Sequence, residues 1–522
     1  MPLTKDDLKQ GLRDLGVEGG MALMVHSSLS ALGHVEGGAD TVIDALIEGV
    51  GPLGTVMMPA MGGAPVFDVD DTPSNVGAIT DRFWRRPETI RSIHPTHSAA
   101  GVGPLAAELL AGHVDQPTAI GPESPWGRLA KLERGYLLFL GCDQDRNTLL
   151  HTAEDLVEGA YLHTIVRDYY DEDRAKQTKI MERFPGPHRD FIRLDRLFQQ
   201  AGAMRVGRVG SAVCRLMKAS EVLRLTVEAL RADPAAVLCD NPHCMDCVKQ
   251  RADLKRARLC GEEFTLGGLL TGVFPPDEVD SALWDIQAEG IEALEVSAQQ
   301  VRSLQQAGPE ARGRFVAALN DAGCRVAVWP CELDWTATVD ERRESFAQAL
   351  ESVQDLAPRY VKLSPWLARD AELEHELPRA AALRDLAQTA ADLNVVLLIE
   401  NHPAAIWRDG ATCAAVLQQV GHEALRLSFN PRQFSAAGEN PFLRTWSRGK
   451  LKRYTAQLMV ADGCRRPGWP AETVPGRGQG EVKEIISVMR CRSFSGLMTI
   501  VPGNGFGFTE AAAAFWRLLD TM

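Results

Sequence analysis

From the first residue to about 238, short apolar runs alternate with amphipathic stretches of helical period. Thr4 to Leu15 opens on a threonine with Asp6 and Asp7 close behind, where a cap and the helix dipole favour them, and predicts a helix. Met21 to Val25 predicts a short strand broken by His26-Ser27-Ser28, and Ala39 to Val50 returns to a helical period. Val56 to Pro59 and Tyr136 to Gly141 read as further buried strands. This is the βαβ rhythm of a mostly parallel sheet covered by helices. Ser220 to Leu230 predicts a last amphipathic helix, which exits at Arg231-Ala232-Asp233-Pro234 because proline disfavours helix in the residue before it.

The pattern breaks between Cys239 and Glu263. There CDNPHCMDC is followed by a basic helical piece, VKQRADLKRARLCGEE, without an apolar core face, so residues 239–263 read as a linker. Beyond Phe264, short strands return at Ala293 to Val296, Arg325 to Val328, Tyr360 to Leu363, Val395 to Ile399 and Leu425 to Phe429, in turn with helices such as Val279 to Gln287 and Gly313 to Ala322. Over roughly 260 residues this alternation is what an eight-fold β/α barrel requires. A chain of 522 residues also exceeds what one hydrophobic core serves. The expected organisation is an α/β domain at 1–238, a Cys-rich linker at 239–263 and a (β/α)8 barrel at 264–522.

Composition narrows the function classes. With 45% hydrophobic and 24% charged residues the chain is ordinary folded protein. A net charge of −13 without any long Lys/Arg block argues against nucleic-acid or anionic-membrane partners and leaves small molecules, cationic ones favoured. The N-terminus lacks a secretory pattern and no apolar stretch is long enough to span a bilayer, which predicts a cytoplasmic protein. Eleven mostly solitary cysteines fit a reducing compartment.

Ordered motifs then carry a family resemblance. They are VHSSLSALG (Val25 to Gly33), GGADTVIDAL (Gly37 to Leu46), GTVMMPA (Gly54 to Ala60), FDVDDTPSNVG (Phe67 to Gly77), RSIHPTHSAAGVG (Arg91 to Gly103), SPWGRL (Ser124 to Leu129) and NTLLHTAED (Asn147 to Asp155). Together they make the first 230 or so residues resemble the aminoglycoside 3-N-acetyltransferase family, which implies an acetyl-CoA-dependent acyltransferase acting on a small-molecule amine.

That chemistry needs a base to take a proton from the amine as it attacks the thioester, and histidine suits it. His151 and Glu154 stand three apart, on one face of a helix; by spacing alone such a pair is more often a solvated face. The resemblance implies that His151 is the catalytic base and Glu154 its acidic partner. His26-Ser27-Ser28 alone reads as a capping turn, and Arg91 as a structural ion pair. By resemblance His26, Ser27, Ser28 and Leu29 line the acetyl-CoA site, with Arg91, Ser92 and Ser98 as further candidates. Asp68, Asp70, Asp71, Glu123, Glu154, Asp155 and the DYYDED run from Asp168 supply carboxylates for a cationic acceptor, although such clusters also serve plain solvation. There is no G-x-S-x-G elbow, and Cys142 has no adjacent basic residue, so direct attack in a ternary complex is the economical mechanism.

Cys239, Cys244, Cys247 and Cys260 lie at C-x4-C-x2-C-x12-C, with His243 as a substitute. A structural zinc, an iron–sulfur cluster and no metal at all are the readings this spacing allows. The second half resembles the xylose-isomerase-like barrels through LLIENHP (Leu397 to Pro403), LSFNPRQF (Leu427 to Phe434), LMVADG (Leu458 to Gly463), GRGQGE (Gly476 to Glu481) and LMTIVPG (Leu497 to Gly503). The resemblance implies a divalent-metal site of Glu, Asp, His and Glu. Here Glu400 keeps the first place, while Asn430, Met459 and Val501 fill the others, which predicts lost isomerase chemistry. A pocket around Glu400, Asn401, His402, Asn430, Arg432 and Gln433, a scaffold, or a homodimer surface are the roles left open to the barrel.

Overall fold

A computed structural model describes residues 2–186, 188–271, 279–367, 376–465 and 471–522. The chain divides into two units, Met1–Leu254 and Lys255–Met522.

The first unit holds β1 (Ala22–Ser27), β2 (Thr55–Pro59), β3 (Val66–Phe67), β4 (Ile90–Arg91), β5 (Ala99–Val102), β6 (Gly135–Leu140), β7 (His163–Tyr170), β8 (Lys176–Phe184), β9 (Met204–Val209) and β10 (Ala212–Lys218). A seven-stranded sheet runs in the order β4-β5-β2-β1-β6-β10-β9. Successive residues of β1 enter opposite faces: Met24 joins a cluster with Met57, Leu137 and Leu149, whereas Leu23 and Val25 join one with Ile43, Leu46 and Leu138. Both faces are therefore covered by helices, which is why this strand reads as an unbroken apolar run. The expected first helix forms at Lys5–Leu15, its Thr4 cap closed by Asp7 in a reciprocal capping box.

Two expectations need correction. The sheet is parallel at β2-β1-β6 and antiparallel at its other pairings. The link between β9 and β10 is two residues long, and a hairpin that short can join antiparallel strands alone. His26 and Ser27 also do not break β1 but continue it, paired with Phe139 and Leu140 of β6. A second sheet, β3-β7-β8, carries the DYYDED run at the tip of the β7–β8 hairpin.

The segment expected as a linker is partly core. Cys247 joins the first unit's hydrophobic cluster, and Cys247, Gln250 and Ala252 are buried on the helix Met245–Ala257, within which the two units divide.

The second unit is a closed barrel of eight parallel strands: β11 (Thr265–Leu270), β12 (Ala293–Val296), β13 (Arg325–Cys331), β14 (Tyr360–Leu363), β15 (Val396–Glu400), β16 (Leu425–Phe429), β17 (Thr455–Val460) and β18 (Leu497–Ile500). β18 pairs with β11 to close it. The glycines of GRGQGE have a structural cause: buried Asp462 accepts the backbone N–H groups of Gly476, Gly478 and Gly480 at 2.8–2.9 Å, and a Cβ on Gly478 would lie 2.1 Å from its carboxylate. All eleven cysteines are free thiols. Among the described residues no helix is long and apolar enough to cross a membrane.

Candidate active site

β1 and β6 are parallel neighbours, so their C-terminal ends meet at one edge of the sheet, where open α/β sheets place ligands. β6 leaves through Gly141, whose φ of 73° and clash-free contact with Ala31 no side chain would allow, since a Cβ there would lie 2.4 Å from that of Ala31. The chain then enters the helix Leu149–Leu156, which presents His151 and Glu154. A cavity of about 820 Å³ opens there, lined by His26, Ser27, Ser28, Leu29, Asp145, Arg146 and His151 among others.

His151 Nδ1 lies 2.5 Å from Glu154 Oε2, leaving Nε2 as the ring nitrogen free for the cavity. The Glu154 side chain is fully buried and His151 18% exposed. Burial would raise the Glu154 pKa, but the charges and hydrogen bonds of His151 and Arg189 outweigh it and hold the carboxyl below its ordinary value. Arg189 Nε donates to Glu154 Oε1, and the Arg189 guanidinium lies 4.8 Å from the Tyr161 ring. The carboxylate is thus ionised and fixed, and its contact with Nδ1 holds the orientation of the His151 ring.

His26 stacks on Phe139 at 4.8 Å, and burial depresses its pKa to about 3, so it is neutral. Its Nε2 and the Ser27 hydroxyl are buried without a hydrogen-bond partner among the described residues. Burial pushes the Cys142 thiol, on the same cavity, up to about 12, which leaves it a poor nucleophile.

Arg91, Ser92 and Ser98 are not brought to this cavity. Arg91 instead donates to the carbonyls of Ala60, Thr72 and Val69 and to Ser98 Oγ, with its guanidinium 4.3 Å from Trp84. Ser98 Oγ donates to Ser92 O, and Ser92 Oγ pairs with His113 Nδ1 at 3.0 Å. All three hold the protein's own backbone together. Most of the carboxylates expected for an amine are likewise engaged: Asp68 and Asp70 with Arg174, Glu123 with Lys131, Asp155 with Arg183. Asp145, which sequence reasoning passed over, is the carboxylate on the cavity wall, its pKa raised by burial.

The cysteine group also differs from its expected membership. Ligand atoms of His188, Cys239, Cys244 and Cys247 all lie within 4.8 Å of one another. Cys260 is exposed and does not join them; the helix Met245–Ala257 advances about 1.5 Å per residue and carries the chain away from Cys247. His188 takes the fourth place, its Nδ1 3.2 Å from Cys247 Sγ and 3.4 Å from Cys244 Sγ.

In the barrel, Lys362 on β14 sits between two carboxylates, with Nζ 2.6 Å from Glu295 of β12 and 2.7 Å from Glu400 of β15. Asn430 donates to Glu400 at 2.7 Å, and Gln457 to Glu295 at 2.5 Å. Burial opposes the Lys362 charge, but the two carboxylates prevail and raise its pKa, so it remains an ammonium. Met459 and Val501 lie in a small apolar cluster with Ala461. Glu400 is therefore not a lone charge, as sequence reasoning had it: Glu295 and Lys362, far away in the chain, complete the group.

The cavity beyond β1 and β6, with His151 and Glu154 beside it, is the site this fold defines, and the comparisons with known proteins are to acyltransferases. Residues 24–231 match the model of the family Aminoglycoside 3-N-acetyltransferase, and residues 284–515 that of the Xylose isomerase-like TIM barrel. The chain is 33% identical over 271 residues to aminoglycoside N(3)-acetyltransferase IX of Micromonospora chalcea, across 44% of this chain and 94% of that one. It is 33% identical over 244 residues to aminoglycoside N(3)-acetyltransferase IV of a Salmonella species, across 45% and 90%. The solved apoenzyme of aminoglycoside acetyltransferase AAC(3)-IVa is 30% identical over 47% of this chain and 96% of that one, at a TM-score of 0.45. The chain belongs to the aminoglycoside 3-N-acetyltransferase family.

Proposed function

We propose that this protein transfers the acetyl group of acetyl-CoA to an amine of an aminoglycoside, by direct attack within a ternary complex. The observation that carries the reading is the His151–Glu154 pair at the 820 Å³ cavity of a chain from this family. His151 Nε2 takes the amine proton as the nitrogen attacks the thioester carbon; the C–S bond then breaks, and the departing sulfur takes the proton from the His151 imidazolium, so that CoA leaves as the thiol and the base is restored. Glu154 fixes the tautomer and offsets the imidazolium charge. The unpartnered His26 Nε2 and Ser27 hydroxyl, with Ser28, Leu29 and Arg146, form the CoA-facing wall, and Asp145 attracts the cationic acceptor. We place the protein in the cytoplasm, where acetyl-CoA is made and thiols stay reduced. The test is thiol release from acetyl-CoA with gentamicin, sisomicin and apramycin, aminoglycosides that appear in complexes of solved relatives. Release that depends on one of these amines supports the reading; none with any of them overturns it.

For the cysteine group we propose one structural zinc held by His188, Cys239, Cys244 and Cys247. Ligands ~2.0–2.3 Å from a tetrahedral ion lie roughly 3.3–3.8 Å apart; the group, with His188 Nδ1 3.2 and 3.4 Å from two of the sulfurs and no pair beyond 4.8 Å, needs only a small contraction to reach that, and three thiolates with one imidazole suit zinc. An iron–sulfur cluster spreads its ligands over several irons and fits less well. For the barrel we propose no isomerase chemistry, because the Lys362 ammonium already sits between the two carboxylates a divalent metal would need and offsets one of their charges. A cavity of about 490 Å³ lined by Arg432, Glu472 and Asn504 leaves ligand binding as its second reading.

A further inference from the structure

We propose that the metal held by His188 and the three cysteines sets the position of the His151–Glu154 pair, with Arg189 as the positioning residue that joins the two sites. This rests on the acetyltransferase reading and on the proposed zinc, and adds a dependence of one on the other. His188 and Arg189 are consecutive, yet their side chains serve different sites. The imidazole of His188 lies against Cys244 and Cys247, while the guanidinium of Arg189 donates to Glu154 Oε1. The Arg189 side chain is 2% exposed and that of Glu154 0%, so the contact is sealed from water. Two residues further on, the Phe191 ring packs edge-on against His151 at 4.9 Å between centroids. Both members of the pair are therefore gripped by one short segment, 188–191.

That segment has no strand ladder of its own. It lies between β8 and the short 3-10 helix Phe191–Leu194, and besides the contacts of Arg189 and Phe191 it is held by hydrogen bonds to the residues beside Cys239. Asp190 N donates to Val237 O at 2.8 Å, and Arg193 Nη1 to Leu238 O at 2.6 Å. A metal bonded to His188 on one side and to Cys239, Cys244 and Cys247 on the other would clamp the same two stretches covalently. Where Arg189 sits decides which way the Glu154 carboxylate faces, and hence where His151 Nε2 points into the cavity. Loss of the clamp lets Arg189 and Phe191 drift together, which misaligns the base without touching the wall formed by Ser27, Ser28 and Leu29.

The experiment uses the full chain. Elemental analysis should find one zinc per chain in the wild type, falling to substoichiometric in His188→Ala. With whichever of gentamicin, sisomicin and apramycin the wild type turns over fastest, His188→Ala and the chelator-stripped wild type should lose about ten- to a hundredfold in kcat. The KM for acetyl-CoA should stay within about twofold, and zinc should restore the stripped wild type. Arg189→Met should lose a similar factor while keeping its zinc, and Arg189→Lys should recover part of it. Hydrogen exchange, read without substrate, should rise in peptides 188–194 and 149–156 together when zinc is removed. The proposal is overturned by wild type that takes up no zinc, by metal-free protein with wild-type kcat, by Arg189→Met with wild-type kcat, or by unchanged exchange at 149–156. If His188→Ala does not fold, stripped wild type and Arg189→Met carry the test. A wild type that binds zinc but transfers no acetyl group refutes the acetyltransferase reading instead, and exchange still decides the coupling.

Discussion

Both units set a carboxylate against a cation, the fully buried Glu154 against Arg189 in the first and the part-buried Glu400 against Lys362 in the barrel, yet the two groups are built differently. At Glu154 the second carboxylate oxygen is given to His151, whose ring lines the cavity. At Glu400 the second oxygen is given to Asn430, and Lys362 spends its remaining reach on Glu295 and the Met459 sulfur. One arrangement includes a side chain that lines a cavity; in the other the charged groups face one another. A buried ion pair becomes catalytic equipment when it polarises a third group that faces a ligand, and stays scaffolding when every member is satisfied.

Acid should separate the two units most strongly. His26, His94 and His113 are buried in the first unit, and burial holds His26 to about 3, His113 to about 4 and His94 well below its ordinary value. Their folded pKa lies below that of the unfolded chain, so as pH falls through about 6.5 the unfolded state takes up protons first. Stability present above that pH is then lost, at about 1.4 kcal/mol per pH unit for each histidine. Among the described residues the barrel buries no histidine. Thermal proteolysis read by peptide mass spectrometry at pH 7.5 and 5.0 should show the first unit losing far more than the barrel; equal losses would erase the distinction.

Lys362→Met should cost the barrel about 3–5 kcal/mol, as removing one partner of a buried pair leaves the carboxylates uncompensated. Acetyl transfer should be unchanged. Urea unfolding followed at barrel peptides checks the first part, and manganese calorimetry sharpens it: with the ammonium gone, Glu295 and Glu400 should acquire a divalent-cation affinity that the wild type lacks. A smaller effect is expected at Glu154→Gln, which keeps a neutral hydrogen bond to His151 and should lower kcat about ten- to a hundredfold, the worth of a hydrogen bond to a charged group. A wild-type rate would remove Glu154 from the mechanism.

What was legible in the chain follows from where the information sits. The central strands could be read because both faces of β1 and β6 are covered, and the first helix because Thr4 and Asp7 cap it locally. The β7–β8 hairpin could not, because it is largely exposed and lacks an apolar period. Direction was illegible too, since the antiparallel edges depend on which strands pair and not on their own residues. His151 and Glu154 do meet, as a spacing of one helical turn allows, but it was the family resemblance and not that spacing that singled out the pair. Glu295 meets Lys362 across 67 residues and Gln457 across 162, and His188 meets Cys247 across 59, so no local spacing announces them. Cys260 was misread for the opposite reason: it is near in sequence and carried off by a helix.

The measurement that bears most directly on the central claim is single-turnover acetyl transfer by wild type and His151→Ala, with acetyl-CoA binding followed in parallel by calorimetry. A general base is worth about two to four orders of magnitude, so the variant should lose that factor in the transfer step while its acetyl-CoA affinity stays within about twofold. Transfer at the wild-type rate by His151→Ala would contradict the account and send the search for the base elsewhere on the cavity wall.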